Sequence, residues 1–155
     1  MRIVLAQVDS VLGDVDANVR RARDILTHQA AAGADLVVFP ELFLSGYSIG
    51  SVPRDVAMEI GDERITSLAD AAGDTTAALI GFTERDRAVH LLNSATFLQG
   101  GAVVHTHRKV HLASYDIWEE ASHFTPGSSV RAFDSSVGRV ATLICFDVWH
   151  PGLVL

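Results

Sequence analysis

The chain has 155 residues, 48% of them hydrophobic and 20% charged, with 12 Lys and Arg against 19 Asp and Glu for a formal net charge of -7. That balance suits one globular domain with a real core, and without a basic stripe to track phosphates it excludes nucleic acid as a partner. No apolar run approaches the roughly 20 residues that cross a bilayer, the N-terminus lacks a signal-peptide core, and a single cysteine permits no internal disulfide, which points to a reducing cytoplasm and no membrane partner.

Arg2 to Val8 is a short β-rich run with apolar residues on both faces, the pattern of an inner strand covered on both sides. Beyond Gly13 and Asp14, Val15, Val19, Ala22, Leu26 and Ala30 recur at helical spacing until Gly33 stops them. Leu36 to Phe39 is a second buried strand, so the opening unit reads strand, helix, strand, with parallel pairing and a right-handed crossover. Pro40 and Glu41 follow at once, then a loop, LFLSGYSIGSVPRD. Ligand sites of α/β sheets gather at such carboxyl ends.

Asp62 is placed to cap a helix whose apolar face is Ile65, Leu68, Ala69 and Ala72, ended by Gly73. Thr76 to Thr83, Val89 to Leu98 and Ala102 to Thr106 read as strands, separated by Asp86-Arg87 and Gly100-Gly101, which is hairpin chemistry. His107 to Gly127 is a long irregular connection carrying Lys109, several carboxylates and the aromatics Tyr115, Trp118 and Phe124. Connections of that length are usually functional or disordered. Val130 to Phe133 and Val137 to Phe146 complete the strands around a turn at Ser135 and Ser136, and the second delivers Cys145 to the point where the sequence turns polar.

His105, His107 and His111 invite a metal reading, but a site would need converging ligands and a fourth group. A polar edge beside the loop is the simpler reading, and no metal is expected. His28, His90, His123 and His150 show no ligand spacing and are expected on surfaces or loop rims.

Taken singly, Glu41 after a strand, Lys109 in a loop and Cys145 after an apolar run are each unremarkable. In this order, within FPELFLSGY, HRKVHL and LICFDVW, they resemble the three motifs of the nitrilase superfamily of carbon-nitrogen hydrolases, and the resemblance runs the length of the chain. The opening MRIVLAQVD, ANVRRA and GADLVVFPELFLSGY look most like the amidase branches and the glutaminase domain of NAD synthetases. KVHLASYDIWEEASHFTPG is similar to the family's lysine loop, whose additional glutamate falls on Glu120, with Glu119 the less favoured choice.

The resemblance implies an α/β fold, a nitrilase-like α-β-β-α sandwich with mixed sheets, here as a single domain over residues 1–155 that is incomplete on its C-terminal side. It implies Glu41, Lys109 and Cys145 as a catalytic triad with Glu120 beside them, and the backbone N–H of Phe146 as a partner of Lys109 in holding an oxyanion. No organic cofactor is implied. The substrate would be a small-molecule amide, and relatives form homo-oligomers.

The residue types suit the chemistry. A poorly electrophilic amide needs a strong nucleophile, a base to prepare it and positive charge where oxygen becomes negative. Glu41 and Glu120 on either side of Lys109 would keep its ammonium charged, and the ammonium would favour the Cys145 thiolate. Nitrile hydrolysis by the same triad is the rival chemistry. Nitrilases proper commonly carry Trp-Glu after the cysteine, whereas this chain has Phe146-Asp147. The other rival is a non-catalytic half-fold serving as an interaction module, whose unpaired edges would favour self-association.

Overall fold

The computed structural model describes residues 1–47 and 54–153. Residues 48–53 of the loop after Glu41 lie outside this description. Strands β1 (Ile3–Leu5), β2 (Leu36–Val38), β3 (Ala77–Arg85), β4 (Leu91–Gln99) and β5 (Ala102–Arg108) form one sheet in that order. β1, β2 and β3 pair in parallel, and β3, β4 and β5 pair antiparallel. The mixed sheet of the expected fold class is therefore present, with the hairpins where Asp86-Arg87 and Gly100-Gly101 predict them. Gly100 and Gly101 turn at φ 58° and 72°, which L side chains adopt at a cost.

Helices α1 (Val15–Ala31) and α2 (Glu63–Ala72) pack on each other over one face of the sheet. Asp14 caps α1 by accepting from Ala17 N–H at 2.9 Å, and Asp62 caps α2 by accepting from Arg64 N–H at 2.9 Å. Each helix has the apolar stripe its spacing predicts: Val15, Val19, Ala22 and Leu26 on α1, and Ile65, Leu68, Ala69 and Ala72 on α2, are all buried, and Ala30 at the end of the α1 stripe is half-buried. They meet Ala78, Ile80 and Phe82 of β3 in the core. Each large side chain buried there contributes about 1.5–3 kcal/mol. Strand alternation sends Leu79, Gly81 and Thr83 to the opposite face.

Four expectations are corrected. β1 is an edge of its sheet among the described residues, with Ile3 and Leu5 exposed; the apolar pattern registers which side chains can be buried, but the neighbour that buries them belongs to tertiary structure. The apolar run before Cys145 is paired only at its start, as β7 (Gly138–Val140) against β6 (Phe133–Ser135). Residues 141–144 join no strand among the described residues, although Ile144 keeps extended angles. β5 runs on to Arg108, so His107 is a strand residue rather than a loop residue. Within the long connection Glu120–His123 forms a short helix, α3. No described helix is long and apolar enough to cross a membrane.

Candidate active site

Glu41 stands in a tight turn three residues after β2. Phe43 N–H and Gly46 N–H bond back to Pro40 and Leu42 carbonyls at 3.3 and 2.7 Å, and Leu42 takes the left-handed angle φ 52°. Two outside anchors fix this turn. Leu44 N–H donates to the Gly81 carbonyl at 3.0 Å, and the buried Asn18 amide donates to the Leu44 carbonyl at 3.1 Å. Gly81 is required beneath it, because a Cβ at that position would lie 2.6 Å from the Pro40 oxygen and 2.9 Å from the Glu41 carbonyl carbon.

Lys109 follows β5 directly and continues its ladder: its N–H donates to the Asn93 carbonyl at 2.8 Å, and its carbonyl accepts from Gly127 N–H at 2.8 Å. The residue is 1% exposed. Its Nζ donates to Glu41 Oε1 at 2.7 Å and reaches Glu120 Oε1 and Oε2 at 2.9 and 2.8 Å. Burial alone would pull this ammonium down, but hydrogen bonds to Glu120 and Glu41 outweigh it and hold its pKa above the ordinary lysine value. Lysine is thus kept charged in a dry place.

Glu120 opens α3 and is buried. Besides Lys109 it accepts from Tyr47 Oη at 2.9 Å, Asn93 Nδ2 at 3.0 Å and Ala113 N–H at 2.6 Å. Burial, with the hydrogen bond to Glu120, raises the Tyr47 phenol far above its ordinary range, so it stays a donor. Glu119 heads the turn without a side-chain cap and is exposed, so of the two candidates only Glu120 meets the lysine.

Cys145 begins a 3₁₀ turn, Cys145–Trp149, at φ 46°. Non-glycine residues hold such an angle only where their surroundings over-determine it. Here the surroundings are Asp147, fully buried, which accepts from Ile144 N–H at 3.1 Å, Val110 N–H at 3.0 Å, His111 N–H at 2.8 Å and His107 Nε2 at 2.9 Å. One carboxylate therefore ties the cysteine turn to the chain just beyond Lys109. Burial of Asp147 opposes its charge, yet the bonds from His107, His111 and Ile144 win and lower its pKa.

The Cys145 side chain is exposed, and its thiol feels three of the other groups. Partial desolvation raises its pKa most, the Glu41 charge and a hydrogen bond to Glu41 raise it further, Glu120 adds to this, and Lys109 opposes them. The net direction is upward. Lys109 favours the thiolate, as expected of it, but its pull is outweighed by partial desolvation and the two carboxylates. Phe146, next in the turn, packs its ring 5.2 Å from Tyr115 and 4.9 Å from His150.

The model of the family described as "Carbon-nitrogen hydrolase" matches residues 2–155. The chain belongs to that family. It is 31% identical to a glutamine-dependent NAD(+) synthetase of Thermotoga maritima over 97% of its own length and 26% of the relative's. To a nitrilase of Pyrococcus abyssi it is 31% identical, over 97% of its own length and 58% of the relative's. Among solved structures, the NitN amidase of Nesterenkonia sp. AN1 superimposes with a TM-score of 0.85 at 26% identity, covering 99% of this chain and 60% of the amidase. The chain thus spans about a quarter to three fifths of the length of these relatives.

Several residues around this carbon-nitrogen hydrolase site escape a sequence reading. Asn93, 1% exposed, bridges both carboxylates, donating to Glu41 Oε1 at 2.7 Å and to Glu120 at 3.0 Å. Its signal was a polar Asn-Ser pair inside an apolar strand. Asp147 was visible as a charge within an apolar run, but its partners come from a distant strand end. The three candidate histidines part company. His107 is buried against Asp147, which corrects the polar-edge reading for that residue, while His105 stacks on Phe133 at 4.4 Å and His111 on His150 at 3.6 Å.

Proposed function

We propose that the protein hydrolyses the C–N bond of a small amide through a thioester on Cys145, within one carbon-nitrogen hydrolase domain. The observation that carries this reading is the buried Lys109 ammonium gripped by Glu41 and Glu120, with the Cys145 thiol near enough to feel the charges of all three.

Glu41 takes the thiol proton as sulfur attacks the carbonyl carbon. The S–C bond forms, the carbonyl oxygen becomes negative, and Lys109 with Phe146 N–H holds that charge. The C–N bond then breaks as Glu41 returns the proton to the leaving nitrogen, giving ammonia or an amine. Water, deprotonated by Glu41, cleaves the thioester to a carboxylate and restores the thiol. One residue serves as base and then acid. Glu120, already saturated by Lys109, Tyr47, Asn93 and Ala113 N–H, holds the lysine rather than exchanging protons.

Amides are favoured over nitriles because Phe146-Asp147 stands after the cysteine where nitrilases proper commonly carry Trp-Glu, and because similar proteins include an amidase and a glutamine-dependent enzyme. The similarity to a nitrilase keeps nitriles as the comparison substrates. Ammonia release from glutamine, an ω-amide, a carbamoyl compound and simple aliphatic amides, run beside matched nitriles, tests the reading. Cys145→Ala is expected to abolish release; full activity in that variant would refute the mechanism. Release from nitriles alone would refute the substrate class.

A further inference from the structure

We propose that Asn93 is a positioning residue that selects which oxygen of Glu41 acts as the base; the inference rests on the thiol-to-Glu41 proton transfer above. Lys109 Nζ and Asn93 Nδ2 both donate to Glu41 Oε1, each at 2.7 Å, and both donate to Glu120 Oε1, at 2.9 and 3.0 Å. The four groups close a ring in which two donors alternate with two carboxylate oxygens. Carboxylates accept only, so the amide of Asn93 has one possible orientation, its NH₂ toward the ring.

This arrangement fills Glu41 Oε1 and leaves Oε2 with no donor among the described residues other than the Cys145 thiol, which hydrogen-bonds the same carboxylate. Glu41 remains 20% exposed, so that oxygen is open to the thiol rather than sealed. A lysine alone would fix the distance of the carboxylate but not its rotation, since either oxygen could turn to a single ammonium. The second donor removes that freedom. The orientation leaves Asn93 Oδ1 buried and without a partner, an unfavourable arrangement that an apolar residue of the same size would avoid. The main chain of Asn93 also accepts Lys109 N–H at 2.8 Å, so one residue places both the cation and the base.

Glu41 faces Lys109 and Cys145 directly, and Glu120 and Tyr47 across the ring. None of these is altered by Asn93→Leu, which keeps the forked heavy-atom shape with bulkier methyl groups and removes the donor. A crystal structure of the full chain carrying Asn93→Leu reads the effect without any substrate. Loss of the second donor is expected to let the Glu41 carboxylate turn, so that Oε1 is no longer the oxygen held by Lys109. On an amide that is turned over, kcat is expected to fall on the order of tenfold to a hundredfold with KM unchanged. Adding Asn93→Leu to Glu41→Gln is expected to change nothing more.

An unmoved Glu41 carboxylate, or a full further loss in the Glu41→Gln background, overturns the proposal. If Asn93→Leu does not fold, Asn93→Ala removes the donor without bulk, and the same turn of the Glu41 carboxylate is required of it. Absence of turnover in the unaltered protein would defeat the proposed function, while the orientation of Glu41 would still decide the role of Asn93.

Discussion

Gly81→Ala tests whether the Glu41 turn rests on the sheet as closely as the geometry requires. The new methyl group would lie 2.6 Å from the Pro40 oxygen, against the 3.4 Å at which ordinary contact begins. Its other near neighbours, Leu42 N and the Glu41 carbonyl carbon, are also backbone, so no side chain can swing aside. The turn must withdraw by at least about 0.8 Å, the difference between those two distances, since Leu42 N stands nearer still. The 2.7 Å bond from Lys109 Nζ to Glu41 Oε1 would stretch toward about 3.5 Å, beyond useful hydrogen bonding. Overpacking of this kind costs about 1–3 kcal/mol, and a misplacement approaching 1 Å costs on the order of 10²-fold in rate. Thermal unfolding should therefore show a modest loss while ammonia release falls by about one to two powers of ten. A variant with unchanged Tm and unchanged kcat/KM would refute the close packing of this turn and the dependence of the chemistry on it.

Glu41→Gln should leave a thiol that ionises more easily, because two causes that raise it go and the lowering effect of Lys109 stays; ultraviolet titration of the one cysteine should move down in pH while amide turnover drops on the order of 10²–10⁴-fold. A thiol that titrates higher would contradict the assigned balance of charges. Asp147→Asn turns an amide nitrogen toward at least one of the N–H groups of Ile144, Val110 and His111, and each donor so orphaned costs about 1–3 kcal/mol, measurable by denaturant unfolding. The folded Asp147 pKa is depressed, so its stabilisation is present above the unfolded carboxylate value and lost as pH falls through the folded one. Tm of the unaltered protein should therefore decline more steeply than that of Asp147→Asn below about pH 4; parallel curves would show that Asp147 carries no such linkage. Asp62, depressed in the same direction, contributes equally to both proteins.

The periodicities of α1 and α2, their Asp caps and the glycine-marked hairpins were legible because each depends on residues within a few positions of one another. The same locality explains the misreadings. β1 has the composition of an inner strand but is an edge here, and the apolar run before Cys145 pairs only at Gly138–Val140, since pairing requires a partner that no local pattern names.

The sequence by itself determined which groups this protein can bring to bear: one thiol, a glutamate after a strand, and a lysine and a second glutamate in the connection before that thiol, enough to mark the family. The tertiary structure decided what those groups are to one another. It spent Glu120 on holding Lys109, set burial and two carboxylates against the ionisation of Cys145, gave Asp147 the task of fixing the cysteine turn, and set Asn93 between two carboxylates 52 and 27 residues away along the chain. The reason is physical: burial and charge act through space, so a residue's protonation and its free oxygen depend on neighbours that the order of the chain does not place beside it.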